Sequence, residues 1–198
     1  MAGTATRDAI HALFADSARV RDVFLAEHAA DLATAADLVC EALGAGRKIL
    51  LFGNGGSAAD AQHIAAEFVG RFARERRALA AIALTTDTSA LTAIANDYGY
   101  DEVFARQVRG LGVAGDVAIA ISTSGKSPSV LHAVTACHDR GIRTIGLTGG
   151  SGGALFGAVD VGLRVSASTH SARIQETHIL IGHVICELVD RRLAAESA

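Results

Sequence analysis

No apolar run in this 198-residue chain approaches the roughly 18 residues needed to span a bilayer. The most apolar strip, Ala78 to Leu84, stops at Thr85, Thr86 and Asp87. The first twenty residues carry Arg7, Asp8, Asp16 and Arg19, so they hold no signal-peptide hydrophobic segment; a soluble cytoplasmic protein is the expectation. Proline occurs once, against 21 glycines, which argues against disorder and for tight turns between packed elements. The three cysteines, Cys40, Cys137 and Cys186, share no metal-like spacing and sit among apolar residues, so buried free thiols are expected. Excess positive charge is also missing. A net charge of −3 speaks against a large nucleic-acid surface. The one dense basic patch, Arg71, Arg74, Arg76 and Arg77 around Glu75, reads mostly as a solvated helix end.

What is present suits one globular domain over residues 1–198. Half the residues are hydrophobic, and a chain this long can bury a sizeable core without disulfides. Residues 5–44 read as helical, with apolar positions at three- and four-residue steps and a break near His28 to Asp31. This segment is expected to pack on the core or in an oligomer interface. Gly44 and Gly46 close it with a C-cap signal. From Lys48 onward, short apolar runs at 49–52, 80–84, 117–121, 144–147 and 161–165 alternate with helical stretches at 58–70, 88–96, 101–110, 128–140 and 171–193. That alternation predicts an α/β fold with a parallel five-stranded sheet buried on both faces.

Two strand ends are rich in small hydrogen-bond donors. Gly53-Asn54-Gly55-Gly56-Ser57 joins a strand to a helix, and its backbone N–H groups can approach an anion at the helix N-terminus. It is neither a P-loop nor a clean GxGxxG, and a plain tight turn accounts for it equally. Ser122-Thr123-Ser124-Gly125-Lys126-Ser127-Pro128 is the stronger signal. Ser127 falls where a helix N-cap belongs, but a cap does not need four hydroxyls. Without a Walker pattern or an acidic metal partner, this loop suits a sugar phosphate better than a nucleoside triphosphate.

His63 and Glu67, four residues apart, project from one helix face and suit two ligands of a zinc ion, with Asp60 one turn earlier placed to orient His63. A surface His–Glu pair is the plain alternative. The last helix offers Gln175, Glu176, His178 and His183. Gln175 and His183 are separated by about 12 Å of rise and 80° of rotation on an ideal helix, so spacing does not select that pair; Glu176 and His183 would stack better.

Four segments, GNGGSAADAQHIAAE (Gly53 to Glu67), LTAIANDY (Leu91 to Tyr98), ISTSGKS (Ile121 to Ser127) and RIQETHILIGHVICELVD (Arg173 to Asp190), occur in order across nearly the whole chain. Together they resemble the phosphoheptose isomerases of the sugar-isomerase (SIS) domain superfamily. The resemblance implies a flavodoxin-like three-layer α/β sandwich with N-terminal helices, and a homotetramer with active sites between subunits. It implies conversion of D-sedoheptulose 7-phosphate to D-glycero-D-manno-heptose 7-phosphate, a first step toward activated heptoses for lipopolysaccharide or other glycans. It further implies one zinc ion per subunit held by His63, Glu67, Gln175 and His183, with Glu67 and His183 as the catalytic acid/base pair. The phosphorylated seven-carbon sugar would be held by Asn54, Gly55, Gly56, Ser57, Glu67, Arg71, Asn96, Asp97, Ser122, Thr123, Ser124, Ser127 and Gln175. Lys126 and Pro128 receive no role. The nearest alternative is a non-enzymatic tetramer of the same superfamily that binds the replication initiator DnaA. The pairing of Glu67 with His183 favours the isomerase. A regulatory sugar-phosphate sensor would need a fused DNA-binding domain, for which this length leaves no room.

Overall fold

A computed structural model describes residues 3–195. Five strands, β1 (Ile49–Gly53), β2 (Ala81–Ala83), β3 (Val117–Ser122), β4 (Arg143–Gly149) and β5 (Val161–Val165), form one parallel sheet in the order β2-β1-β3-β4-β5. This is the flavodoxin-like order of doubly wound folds. Successive side chains on a strand point to opposite faces, and the core divides accordingly. Ile49, Leu51, Ile119, Ile121, Ile145 and Leu147 face one layer; Leu50, Phe52, Ala118 and Ala120 face the other. The continuous apolar runs therefore mark strands buried on both sides.

The first layer holds α1 (Thr4–Gly44), α2 (Gly56–Val69) and α7 (Ser171–Ala195). The second holds α3 (Thr88–Tyr98), α4 (Val103–Leu111), α5 (Pro128–Asp139) and α6 (Gly153–Ala158). A single 3-10 turn, Tyr100–Glu102, joins α3 to α4. Helix α1 is broken at His28, whose φ of −129° and ψ of 16° leave helical geometry, within the window the sequence indicated. Its turns before Val20 bury no residue, whereas Val20 to Leu43 carry the packing stripe against α7 and β5. The three cysteines are buried and form no disulfide among the described residues, as expected. Among the described residues, no helix is long and apolar enough to cross a membrane.

Three features depart from the sequence reading. The strand expected over 80–84 shortens to three residues, because it lies at the sheet edge and pairs only with β1. Helix α6 was not anticipated; six residues are too few to show a period. The basic patch is not a helix end, because α2 stops at Val69 and the chain turns back on itself. Arg76 is buried there. Its Nε donates to Asp190 at 2.6 Å, and its other nitrogens donate to the carbonyls of Glu67, Phe68, Gly70 and Arg77. The guanidinium thus caps the carbonyl end of α2, where a cation is favoured.

Candidate active site

In open α/β sheets, ligands bind beyond the carboxyl ends of the strands where the strand order reverses. Here that point lies between β1 and β3, the strands that feed the two donor-rich loops. Gly53, at the end of β1, has no room for a side chain: a Cβ would lie 2.7 Å from the Ile121 carbonyl oxygen and 2.8 Å from Ser57 Cβ. Gly55, with φ of 58° and ψ of −122°, adopts a turn that L side chains avoid and leads directly into α2. The β1 loop is thereby drawn against the β3 loop. Asn54, Ser57, Ser122, Thr123, Ser124 and Ser127, with Ile121, line one cleft of about 160 Å³. All the hydroxyl-bearing residues expected to hold substrate meet there.

Ser127 occupies the N-cap position of α5, and Pro128 follows as the first helical residue, but the Ser127 side chain makes no cap hydrogen bond. Its Oγ accepts from Asn54 Nδ2 at 2.7 Å instead. Asn54 Nδ2 also donates to Ser129 Oγ at 3.0 Å, and Tyr100 donates its hydroxyl to Asn54 Oδ1 at 2.8 Å. Ser129 and Tyr100 were missed by the sequence reading. Ser129 sits just past the hydroxyl run, and Tyr100 lies in a turn without periodicity; only their place in the fold reveals them.

The second half of the site straddles the seam between α2 and α7. These helices run in the same direction. Gly56 touches Gln175 near their starts, and Ile64 meets Gly182 further along. His63 and Glu67 on α2 and His183 on α7 place one ligand atom each within 4.8 Å of one another. His63 Nε2 lies 2.9 Å from His183 Nε2 and 3.3 Å from Glu67 Oε1. Ligand atoms around a tetrahedral ion with bonds of about 2.0–2.1 Å stand roughly 3.3 Å apart, the same scale. Two imidazoles and a carboxylate also form a donor set suited to a divalent transition metal. The trio can therefore hold a metal ion.

Other expected residues are placed differently. The side chain of Gln175 lies against Gly56, at the start of the seam. Asp60 makes no hydrogen bond to His63; one of its oxygens is buried without a partner, and burial pushes its carboxyl up to about 6 against the opposing pull of His63. Asn96 donates to Asp97 at 2.8 Å; both are exposed at the end of α3, and among the described residues neither bonds to the two loops. Arg71 is exposed, 3.8 Å from Glu75, and among the described residues no hydrogen bond or ion pair carries it into the cleft.

A SIS-domain sequence profile matches residues 13–149. The phosphoheptose isomerase of Roseiflexus sp. is 61% identical over 161 residues, covering 81% of each chain. The solved phosphoheptose isomerase of Neisseria gonorrhoeae superimposes with a TM-score of 0.88 at 48% identity, over 94% of this chain and 99% of its own. The chain belongs to the phosphoheptose isomerase family. That of Francisella tularensis superimposes equally well, with a TM-score of 0.89 at 40% identity, over 94% of this chain and 98% of that one. The fold expected of a phosphoheptose isomerase is thus the fold observed.

Proposed function

We propose that this enzyme interconverts D-sedoheptulose 7-phosphate and D-glycero-D-manno-heptose 7-phosphate. The observation that carries the reading is the meeting of Glu67 with His63 and His183 on the α2–α7 seam, in a chain of this family whose hydroxyl cleft opens at the start of α2. The cleft holds the phosphate. Its hydroxyls and the backbone N–H groups at the start of α2 are donors, and anions are favoured at a helix N-terminus. With the phosphate fixed, the carbonyl end of the sugar extends toward the seam.

Isomerisation moves a proton between adjacent carbons through an enediol. Glu67 takes the proton from C1 of the ketose while His183 gives one to the carbonyl oxygen on C2; the roles then exchange, the C1 hydroxyl loses its proton and C2 gains one. No atom is gained or lost. His63, Glu67, Gln175 and His183 would hold zinc, which when bound supplies a Lewis acid near the sugar oxygens. Glycines of the β1 loop let the backbone approach substrate, while Asn96, Asp97 and Arg71 reach it only as part of a larger assembly.

Such an assembly is supported by the surface of α1. Ile10, Leu13, Phe14 and Leu25 are exposed there, and a largely apolar groove of about 340 Å³ runs between α1 and α7. We read this N-terminal segment as the oligomer-forming part of a single SIS domain, and the particle as a homotetramer with active sites between subunits. The phosphorylated sugar, which does not cross a bilayer unaided, argues for a cytoplasmic enzyme feeding activated-heptose synthesis for lipopolysaccharide or related glycans. The DnaA-binding alternative has no observation in its favour.

Incubation with sedoheptulose 7-phosphate, with and without a chelator, tests the activity; no aldose product in either condition would refute it. Elemental analysis should give about one zinc per chain, and much less after His63→Ala. Equal metal in both proteins would remove His63 from the ligand set. Sedimentation of a Leu13→Asp, Phe14→Asp double variant should show smaller particles than the parent.

A further inference from the structure

Tyr100 lies outside every segment that carries the family resemblance. It stands in the 3-10 turn after α3, 55% exposed, yet its hydroxyl reaches Asn54 Oδ1 at 2.8 Å. Asn54 Nδ2 continues the path to Ser127 Oγ at 2.7 Å and Ser129 Oγ at 3.0 Å, and the two serine oxygens are 3.3 Å apart. A chain of polar groups therefore runs from the surface to the wall of the cleft.

The direction of the protons along this chain decides what the cleft offers. An amide nitrogen carries two protons and its oxygen none; a serine hydroxyl has one. With Asn54 oriented as observed, both N–H groups point at serine oxygens, so both serines accept and keep their own protons. Ser129 is 2% exposed, and among the described residues its Oγ has no partners besides Asn54 and Ser127. Its proton goes to Ser127. Ser127 then accepts twice, and its own proton is left to point into the cleft. A reversed amide would invert the pattern: its oxygen would draw both serine protons, and Ser127 would face an anion with lone pairs. A phenol donates better than it accepts, so Tyr100 favours the observed amide orientation.

We infer that Tyr100 is a positioning residue for the phosphate of the substrate: by donating to Asn54 it fixes the amide so that Ser127 presents its O–H to the anion. The inference rests on the reading of the cleft as the phosphate site, and concerns how that site is polarised.

Tyr100→Phe removes one oxygen from an exposed ring and is expected to leave the unfolding midpoint unchanged. It should raise the calorimetric Kd for sedoheptulose 7-phosphate, and the inhibition constant of inorganic phosphate, about three- to tenfold, the scale of one net hydrogen bond. KM should rise more than kcat falls. In a Ser127→Ala background the same change should have almost no further effect, because the proton it directs is gone. An unchanged Kd, an equal loss in the Ser127→Ala background, or a parent that binds no phosphate at all would each overturn the inference. A parent that binds sedoheptulose 7-phosphate with this coupling but never converts it would instead refute the proposed activity and leave the role of Tyr100 standing.

Discussion

Arg76 Nε lies 2.6 Å from Asp190 Oδ1, in a buried ion pair that ties the end of α2 to the end of α7. Asp190 also accepts the backbone N–H groups of Ala73 and Arg74. The pair closes the seam below the residues that carry the chemistry. Asp190→Ala leaves a buried guanidinium unpaired, and such losses run to about 3–5 kcal/mol. Urea unfolding should show a midpoint reduced accordingly. Simple buried pairs can often be replaced by apolar residues without loss. Here Arg76→Met with Asp190→Leu should stay destabilised, since four carbonyls and two N–H groups lose their partners as well. A double variant as stable as the parent would show that those backbone bonds contribute nothing.

Two buried groups, His178 and Asp190, each lose their stabilising contribution as pH falls, in separate windows. Burial pushes the His178 imidazole down to about 4, against a raising effect of its hydrogen bond to the Thr148 carbonyl. The unfolded chain therefore binds this proton first, near pH 6.5, so stability falls from there toward pH 4. Asp190 acts lower. Burial opposes its ionisation, but Arg76 and the two N–H donors outweigh that and hold its carboxyl below the usual range. Its contribution is present above the unfolded value of about 3.9 and is lost as pH falls through it toward the folded value. Unfolding free energies measured from pH 7 to 3 should lose the upper slope in His178→Gln. An unaltered slope above pH 4 would assign it to another group.

Ser124→Ala and Ser127→Ala should weaken sugar-phosphate binding by roughly 1.5–3 kcal/mol each, as for hydrogen bonds to a charged partner. Ser127 makes no cap hydrogen bond, so its loss costs no capping energy, but it frees Asn54 and the buried Ser129 hydroxyl from a partner and should lower thermal stability by about 1 kcal/mol. A variant that melts early but keeps the parental KM would make the loop structural.

Glu67→Gln keeps volume and one oxygen but removes the carboxylate base. A positioned acid/base group contributes about 10²–10⁴-fold in rate, and turnover should fall by that much while substrate still binds. In deuterated water the parent should introduce deuterium at the carbon next to the carbonyl, and the variant should not. Exchange at the parental rate in the variant would transfer the base role to another group.

The strands and most helices were legible because burial on both faces forces apolar runs, while a face-burying helix forces a three-to-four-residue step. The two halves of the site were legible as motifs, since His63 and Glu67 share one helix and the hydroxyls share one loop. What sequence withheld depends on contacts between distant segments. Arg76 looks like its neighbours Arg74 and Arg77 until the fold folds it under Asp190. Ser127 occupies a cap position, yet its hydroxyl is claimed by Asn54, 73 residues away. Tyr100 shows no pattern at all. Spacing on α7 gave no preference for Gln175, whose side chain lies against Gly56 on the neighbouring helix, again a contact between distant segments.

Gly56 and Gly182 stand in the seam between α2 and α7, and a Cβ at Gly56 would overlap the Gln175 side chain, as one at Gly182 would overlap that of Ile64. The two glycines work as the thin edges of a vernier. Adding a methyl group at Gly182 must displace the Ile64 side chain or the helix that carries it, one residue along from both His63 and His183. Metal affinity would then report how that displacement is shared, turning a binding titration into a gauge of the packing between two helices.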